Sequence, residues 1–359
     1  MATADAIVIG GGLVGCSTAY HLAKAGLRVQ LLERDGIGQA TSANNFGLVW
    51  VQSKAPGYYL EYTMAGAAYY PEFLDAVGEQ ASYRRNGGLI LFESEEHRDR
   101  IEALMAEQQR TPGFEVEILD ARQVREFEPE LSEAALGASY CPLDGHVDPR
   151  ALVPAVARAA ERAGAELRPA TPANALRRAG STWVVETTTG PIEAPAVVVC
   201  AGAWTPEVAQ LAGVAVPIEP VKGQILITEP LPPVIHHPCL DFRQLPNGRV
   251  WLGSTREHAG FDLTASEVAT ERIFAHGIRF FPQLASARIA EVRVGIRPYP
   301  PDDVPILGAV PSSDGLYLAV SHSGISLGPI HGRTMAELVT TGTTSVPIDC
   351  FSLSRFGTT

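Results

Sequence analysis

Nothing in this chain approaches the ~20 consecutive apolar residues that span a bilayer, so no transmembrane helix is expected. Lys and Arg form no cluster, and the net charge is −12 over 359 residues, which argues against nucleic acid as a partner. Cysteine is scarce. The five, Cys16, Cys141, Cys200, Cys239 and Cys350, are odd in number and lack paired spacing, which fits free thiols in a reducing compartment, with Cys16 and Cys200 buried. Metal-ligand spacing is also missing: His236-His237 falls in a Pro-rich loop and His258 follows Ser254-Thr255-Arg256-Glu257, so no metal is expected. There are no repeats or low-complexity tracts. The first apolar strand starts almost at the N-terminus and leaves no room for a signal peptide. A cytoplasmic location is expected, peripheral attachment to an inner membrane and oligomerisation being left open.

What the chain does contain is concentrated in residues 6–34. An apolar strand, Ala6-Ile7-Val8-Ile9, runs into Gly10-Gly11-Gly12-Leu13-Val14-Gly15, a small-residue helix, and a second strand ending in Glu33-Arg34. Strand, glycines, helix and carboxylate in this register form a dinucleotide fingerprint. Gly10 permits the tight turn, Gly12 lets the backbone approach a pyrophosphate, and Gly15 lets the helix pack on the strand. The helix start offers free N–H groups and a positive dipole end to the phosphates, and Glu33 is placed to accept from an adenosine ribose.

Later segments return to this pattern. Asp148 can cap a helix over residues 151–163 with Pro149 at its first position. Strands follow near residues 166–168 and 183–186, and the run Ala196-Val197-Val198-Val199 reads as a buried parallel strand. Its continuation, Cys200-Ala201-Gly202-Ala203-Trp204, is small enough for backbone to near a ligand. Between these visits the rhythm changes: strands at residues 87–92, 221–228 and 249–255 and helices at 95–109 and 267–280 lack regular βαβ alternation. The Pro-rich residues 229–238 read as loop. The expected fold class is α/β, a Rossmann-type dinucleotide domain over residues 1–83, 140–216 and 300–359. An α+β substrate domain with a mixed or antiparallel sheet is inserted at 84–139 and 217–299.

Two segments favour FAD over NAD. The loop Thr41-Ser42-Ala43-Asn44-Asn45-Phe46-Gly47 offers hydroxyl and amide groups to a pyrophosphate and ribityl chain. Near the C-terminus, a strand passes through Ser321-His322-Ser323-Gly324-Ile325-Ser326 into a helix reaching residue 339. Its N-terminus can face the electron-rich edge of a reduced flavin. An NAD-dependent dehydrogenase would leave this unit without a task, and a non-catalytic FAD-binding subunit is a third reading.

With these motifs in place the chain resembles the D-amino acid oxidase-like superfamily of FAD-dependent amine oxidoreductases over nearly its whole length. The likeness also runs through Gly145 to Pro149, Gly295-Ile296-Arg297-Pro298, Asp303-Val304-Pro305-Ile306-Leu307-Gly308 and the closing Phe351 to Phe356. Asn45 to Lys54 is most similar to the opine oxidase and D-hydroxyproline dehydrogenase branch. Glycine oxidases tend to have an Ala-rich segment there and an Arg where this chain has Ser323. Monomeric sarcosine oxidases link FAD through a cysteine that the stretch Asp302 to Pro305 lacks, so the resemblance implies non-covalent FAD. It adds Leu13, Val14, Arg34, Ala173 and Gly308 to the expected cofactor set.

The resemblance gives Arg297 the task of pairing with a substrate carboxylate in bidentate fashion. Strand alternation puts Arg297 on the face opposite Ile296, and Arg293 is expected in a salt bridge. The implied reaction is hydride transfer from an amine-bearing carbon to flavin N5. Cyclic D-imino acids stand slightly ahead of opines, and partner subunits or a respiratory chain are expected to take the electrons. His322 is expected either to shape the flavin pocket or to be a structural histidine. Tyr58, Tyr59 and Trp251 are candidates for the substrate pocket, with core or interface as the ordinary place of aromatics. Lys54 is expected in a solvated loop, with approach to the flavin as the alternative, and Lys222 is undecided between the same two.

Overall fold

A computed structural model describes residues 2–311 and 313–357; Met1, Ser312, Thr358 and Thr359, within the expected domain limits, lie outside them. Strand β1 (Ala6–Ile9) leads into helix α1 (Leu13–Lys24) and strand β2 (Val29–Leu32), then helix α2 (Tyr58–Val77). Strands β3 (Gly88–Leu91), β4 (Glu117–Asp120) and β5 (Gly137–Cys141) come next, followed by α3 (Pro149–Arg162) and β6 (Glu166–Arg168). After β7 (Ala196–Val199) the chain builds β8 (Glu219–Pro230), β9 (Phe242–Gln244), β10 (Arg249–Gly253), α4 (Glu267–Phe280) and β11 (Ile289–Tyr299). It closes with β12 (Ile306–Ala309), β13 (Leu316–Val320) and α5 (Gly324–Thr341).

The fold is α/β. Six strands in the order β12-β13-β7-β1-β2-β6 form one sheet, parallel except for β12. Because β1 and β7 are covered on both faces, they consist entirely of buried residues, which explains why both read as unbroken apolar runs. A second sheet, β9-β10-β8-β11, is antiparallel, and a third, β3-β5-β4, is also antiparallel. The expected boundary at 139/140 falls inside β5, whose pairing runs to Cys141 with β3 and to Tyr140 with β4. The Pro-rich stretch is loop only beyond Pro230, since Glu229 and Pro230 finish β8 at its edge.

Local signals account for the helix starts. Asp148 accepts from the backbone N–H of Arg150 with Pro149 as the first helical residue, and Ser266 caps α4 by accepting from Ala269. The N-terminal and C-terminal helices cross at glycine: a Cβ on Gly328 would sit 2.7 Å from Leu13 Cγ, and one on Gly332 2.5 Å from the Ser17 backbone. Gly15 is tighter still, its absent Cβ lying 1.9 Å from the carbonyl oxygen of Gly10. Gly15→Ala must therefore push α1 off β1, and overpacking of this kind costs about 1–3 kcal/mol. The expected result is a lower urea midpoint with unchanged slope; an unaltered midpoint would show that the turn can relax.

Candidate active site

At the carboxyl edge of the parallel sheet, where β1, β7 and β13 end, lies a cavity of about 340 Å³. This is the crevice where open α/β sheets bind ligands. Its walls include Gly10, Gly12, Leu13, Val14, Glu33 and Arg34 from the first unit, and Thr41, Ser42 and Asn45 from the polar loop. Ala173, Ala201, Gly202, Trp204, His322, Gly324 and Ile325 complete the part of the expected set that it gathers. Gly12 and Ser323, the residues at the starts of α1 and α5, make no side-chain cap of their own. A Cβ at Gly202 would meet nothing within 4 Å, and one at Gly324 only Val14 at 3.8 Å. Both backbones thus face open space, and with two helix starts aimed at one cavity the residues fit a pyrophosphate at one end and a flavin edge at the other. Glu33 accepts from the N–H groups of Gly11 at 2.6 Å and Asp35 at 2.9 Å, which holds its carboxylate at the adenosine end. Ser42 accepts from Leu13 N–H at 3.1 Å, and the Arg34 guanidinium lies 4.1 Å from the Trp204 ring centroid.

A second cavity, about 310 Å³, shares Thr41, Asn45, His322 and Ile325 with the first. Its floor is the antiparallel sheet. Arg297, on β11, donates through Nη2 to Ser254 Oγ at 2.9 Å and to the Thr255 carbonyl at 2.6 Å, so its guanidinium plane is fixed. Room for that plane comes from Gly223 on the paired strand, where a Cβ would fall 2.1 Å from Nη2. Burial lowers the Arg297 pKa, with Tyr299 and Asp241 pulling it up. Asp241 lines the same cavity, and burial raises its carboxyl against the pull of His276. Tyr299 stacks on His322 with centroids 4.2 Å apart, and its hydroxyl lies 2.9 Å from Nε2. Burial, then the charges of Lys54, Arg297 and Arg256, hold His322 well below the ordinary imidazole range, so it is neutral near pH 7.

Lys54 is not in a solvated loop. Its side chain lines the second cavity and Nζ donates to Ser323 Oγ at 2.6 Å. Buried amides and a carboxylate hold the segment in place. Gln108 Nε2 donates to the carbonyls of Gln52 and Lys54, Asp144 accepts from Val51 N–H and Gln52 Nε2, and Ser139 donates to Gln52 Oε1. These partners come from sequence separations of 54 to 93, and no local pattern in the sequence marks Gln52, Gln108 or Asp144. The same holds for Asp241.

Several expected residues fall elsewhere. Phe46, Ser323 and Ser326 line the second cavity, with Ser326 bridging α5 to the 48–50 segment through Trp50 N–H and the Leu48 carbonyl. Gly15, Gly47 and Gly308 line neither cavity: Gly15 serves helix packing, Gly47 adjoins the buried Arg243, and Gly308 sits on the edge strand β12. Tyr58 is exposed, Tyr59 is buried between helices, and Trp251 packs under Arg243 and Arg293, so none of the three lines the substrate cavity. Arg293 pairs with Glu291 at 2.8 Å, and Lys222 pairs with Asp262 and Glu257. All five cysteines are free, four of them buried. Among the described residues there is no His/Cys/Asp/Glu group that could hold a metal, and no helix is long and apolar enough to cross a membrane.

The model of the family described as FAD dependent oxidoreductase (DAO) matches residues 5–338. An opine oxidase subunit of Agrobacterium tumefaciens (strain Ach5) is 30% identical over 366 residues, covering 98% of this chain and 97% of its own. Among solved structures, glycine oxidase from Geobacillus kaustophilus superimposes with a TM-score of 0.93 at 28% identity, covering 99% of both chains. L-proline dehydrogenase from P. horikoshii gives 0.91 at 25% identity, covering 99% of this chain and 98% of that one.

Burial pushes the Asp144 carboxyl up from 3.8 to about 7, against hydrogen bonds from Val51 and Gln52 and the charge of Lys54. Its folded pKa exceeds the unfolded one, so its contribution to stability is complete below about pH 4 and is lost as pH rises to about 7. The unfolding free energy of the native protein minus that of Asp144→Asn should fall across this window in urea titrations; a difference that stays flat from pH 4 to 7 would contradict it.

Proposed function

This chain belongs to the FAD dependent oxidoreductase (DAO) family, and from that premise we propose that it removes a hydride from the α-carbon of a secondary amine bearing a carboxylate. The product is an imine that water can hydrolyse. Cyclic D-imino acids, D-proline and cis-4-hydroxy-D-proline, stand first; opines, glycine and N-alkyl glycines are the alternatives. One observation carries this reading: Arg297 is held rigidly in a cavity that shares Thr41, Asn45, His322 and Ile325 with the cofactor cavity.

Bound FAD supplies the two-electron acceptor. The protein's part is placement. Arg297 would clamp the carboxylate with its planar fork and turn the adjoining C–H towards the shared wall of the two cavities. His322, neutral and stacked on Tyr299, would bound the reacting region without competing for the carboxylate. A substrate amine that arrives unprotonated needs no protein base. Cys200 lines the cofactor cavity, but burial pushes its thiol up to about 12, which supports non-covalent FAD. The Agrobacterium relative is named as one subunit of its oxidase, which supports electron transfer to a partner subunit or respiratory chain. Equal rates of peroxide formation and dye reduction by the isolated chain would reverse that assignment.

Anaerobic bleaching of the flavin absorbance tests the reading. Carboxylate-bearing secondary amines should bleach it, and amines without a carboxylate should not. Arg297→Ala should lower kcat/KM by about 2–5 kcal/mol of transition-state binding, as expected when one partner of a desolvated charge pair is removed. Arg297→Lys should keep the charge and lose much of the orientation, and FAD content should be unchanged in both variants. Normal turnover of Arg297→Ala at low substrate would remove this residue from the mechanism.

A further inference from the structure

We infer that Lys54 is a second substrate anchor, which takes an acceptor oxygen carried by the substrate away from its α-carboxylate. This rests on the proposed function and narrows it. The side chain is 7% exposed and lines the same cavity as Arg297. An ammonium has three donors, yet among the described residues the only hydrogen bond from Nζ is to Ser323 Oγ, and no carboxylate of those residues lies within 4 Å. A buried charge left so incompletely partnered is costly, and this one is held in place by Gln108 at its own carbonyl.

The other cations at this cavity differ. Arg297 has Ser254 and Thr255 fixing its plane, while Arg256 is half exposed, with Asp303 at 3.7 Å and the Tyr299 ring beneath it. Asp241, the carboxylate of the cavity wall, does not reach Lys54 within ion-pair distance. A substrate with one carboxylate and an alkyl end would satisfy Arg297 and leave the Lys54 ammonium with only Ser323 Oγ and the Tyr59 ring, 5.6 Å away, as partners. One with a further oxygen would meet both. That oxygen has two chemical sources: the hydroxyl of a hydroxylated cyclic imino acid, or a second carboxylate on an open-chain arm.

Two matched pairs separate them, cis-4-hydroxy-D-proline against D-proline and N-(carboxymethyl)glycine against N-ethylglycine, each followed by anaerobic flavin bleaching with the FAD-loaded protein. The oxygen-bearing member of at least one pair should be preferred in kcat/KM by roughly 10- to 100-fold, the worth of a charge-assisted hydrogen bond. Which pair shows it identifies the source. Lys54→Met should collapse that ratio towards one, chiefly through KM, and Lys54→Arg should restore part of it; a lysine that merely supports Ser323 would alter both members of a pair alike. Equal use of both members by the native protein, or a preference that Lys54→Met retains, would overturn the inference while leaving the proposed function standing. Bleaching by none of the four would overturn both.

Discussion

The hydroxyl of Thr41 donates to the carbonyl of Ile296 at 2.5 Å, and the relation between the two cavities, both of which Thr41 lines, depends on this contact. Thr41 belongs to the polar loop that walls the cofactor cavity, and Ile296 immediately precedes Arg297. One short hydrogen bond thus ties the loop after the first βαβ unit to the strand that carries Arg297. Hydride transfer tolerates little error in the distance between donor and acceptor. In this fold that distance spans two sheets of different character, and the contact that fixes it lies at the wall their two cavities share.

The electrostatics of the two cavities are divided along the same line. On the cofactor side, charge is met mainly by backbone, through two helix starts whose cap residues, Gly12 and Ser323, add no side-chain cap. On the substrate side it is met by side chains: Arg297, Arg256 and Lys54 against Asp241. Backbone N–H groups cannot be titrated and their direction is set by the helix, which suits a resident group of constant shape. Side chains can be exchanged without disturbing the fold, which suits a site that defines specificity.

Much of this was legible in the sequence, for physical reasons that also set the limit. The glycines of the first turn, the cap Asp148 and the unbroken apolar runs of β1 and β7 act within a few residues, so one-dimensional reading finds them. Arg297 stood out through its motif, and strand β11 places it in the second cavity. Lys54 was not: its burial is imposed by Gln108 and Asp144, which reach it from other parts of the chain, and a lysine in a polar segment is ordinarily solvated. Trp251 failed in the opposite sense. An aromatic on a strand near the pocket reads as a pocket residue, but it is covered by two arginines.

Strand β1 lies in the middle of its sheet, with β7 on one side and β2 on the other, and β13 beyond β7. On a ribosome that order is awkward, because β1 must wait for β7, one of its two neighbours, until more than half of the chain has emerged, and β7 in turn waits for β13. The cofactor cavity needs Gly10 and also Gly324, so the nucleotide cannot help an early portion of the chain to fold. At about 5–20 residues per second the wait lasts tens of seconds, during which an apolar strand has an unpaired edge. Late closure of α5 onto α1 at Gly328 and Gly332 then acts as a completeness check: a chain that stops short of α5 lacks the wall of the cofactor cavity formed by Ser321, His322, Gly324 and Ile325.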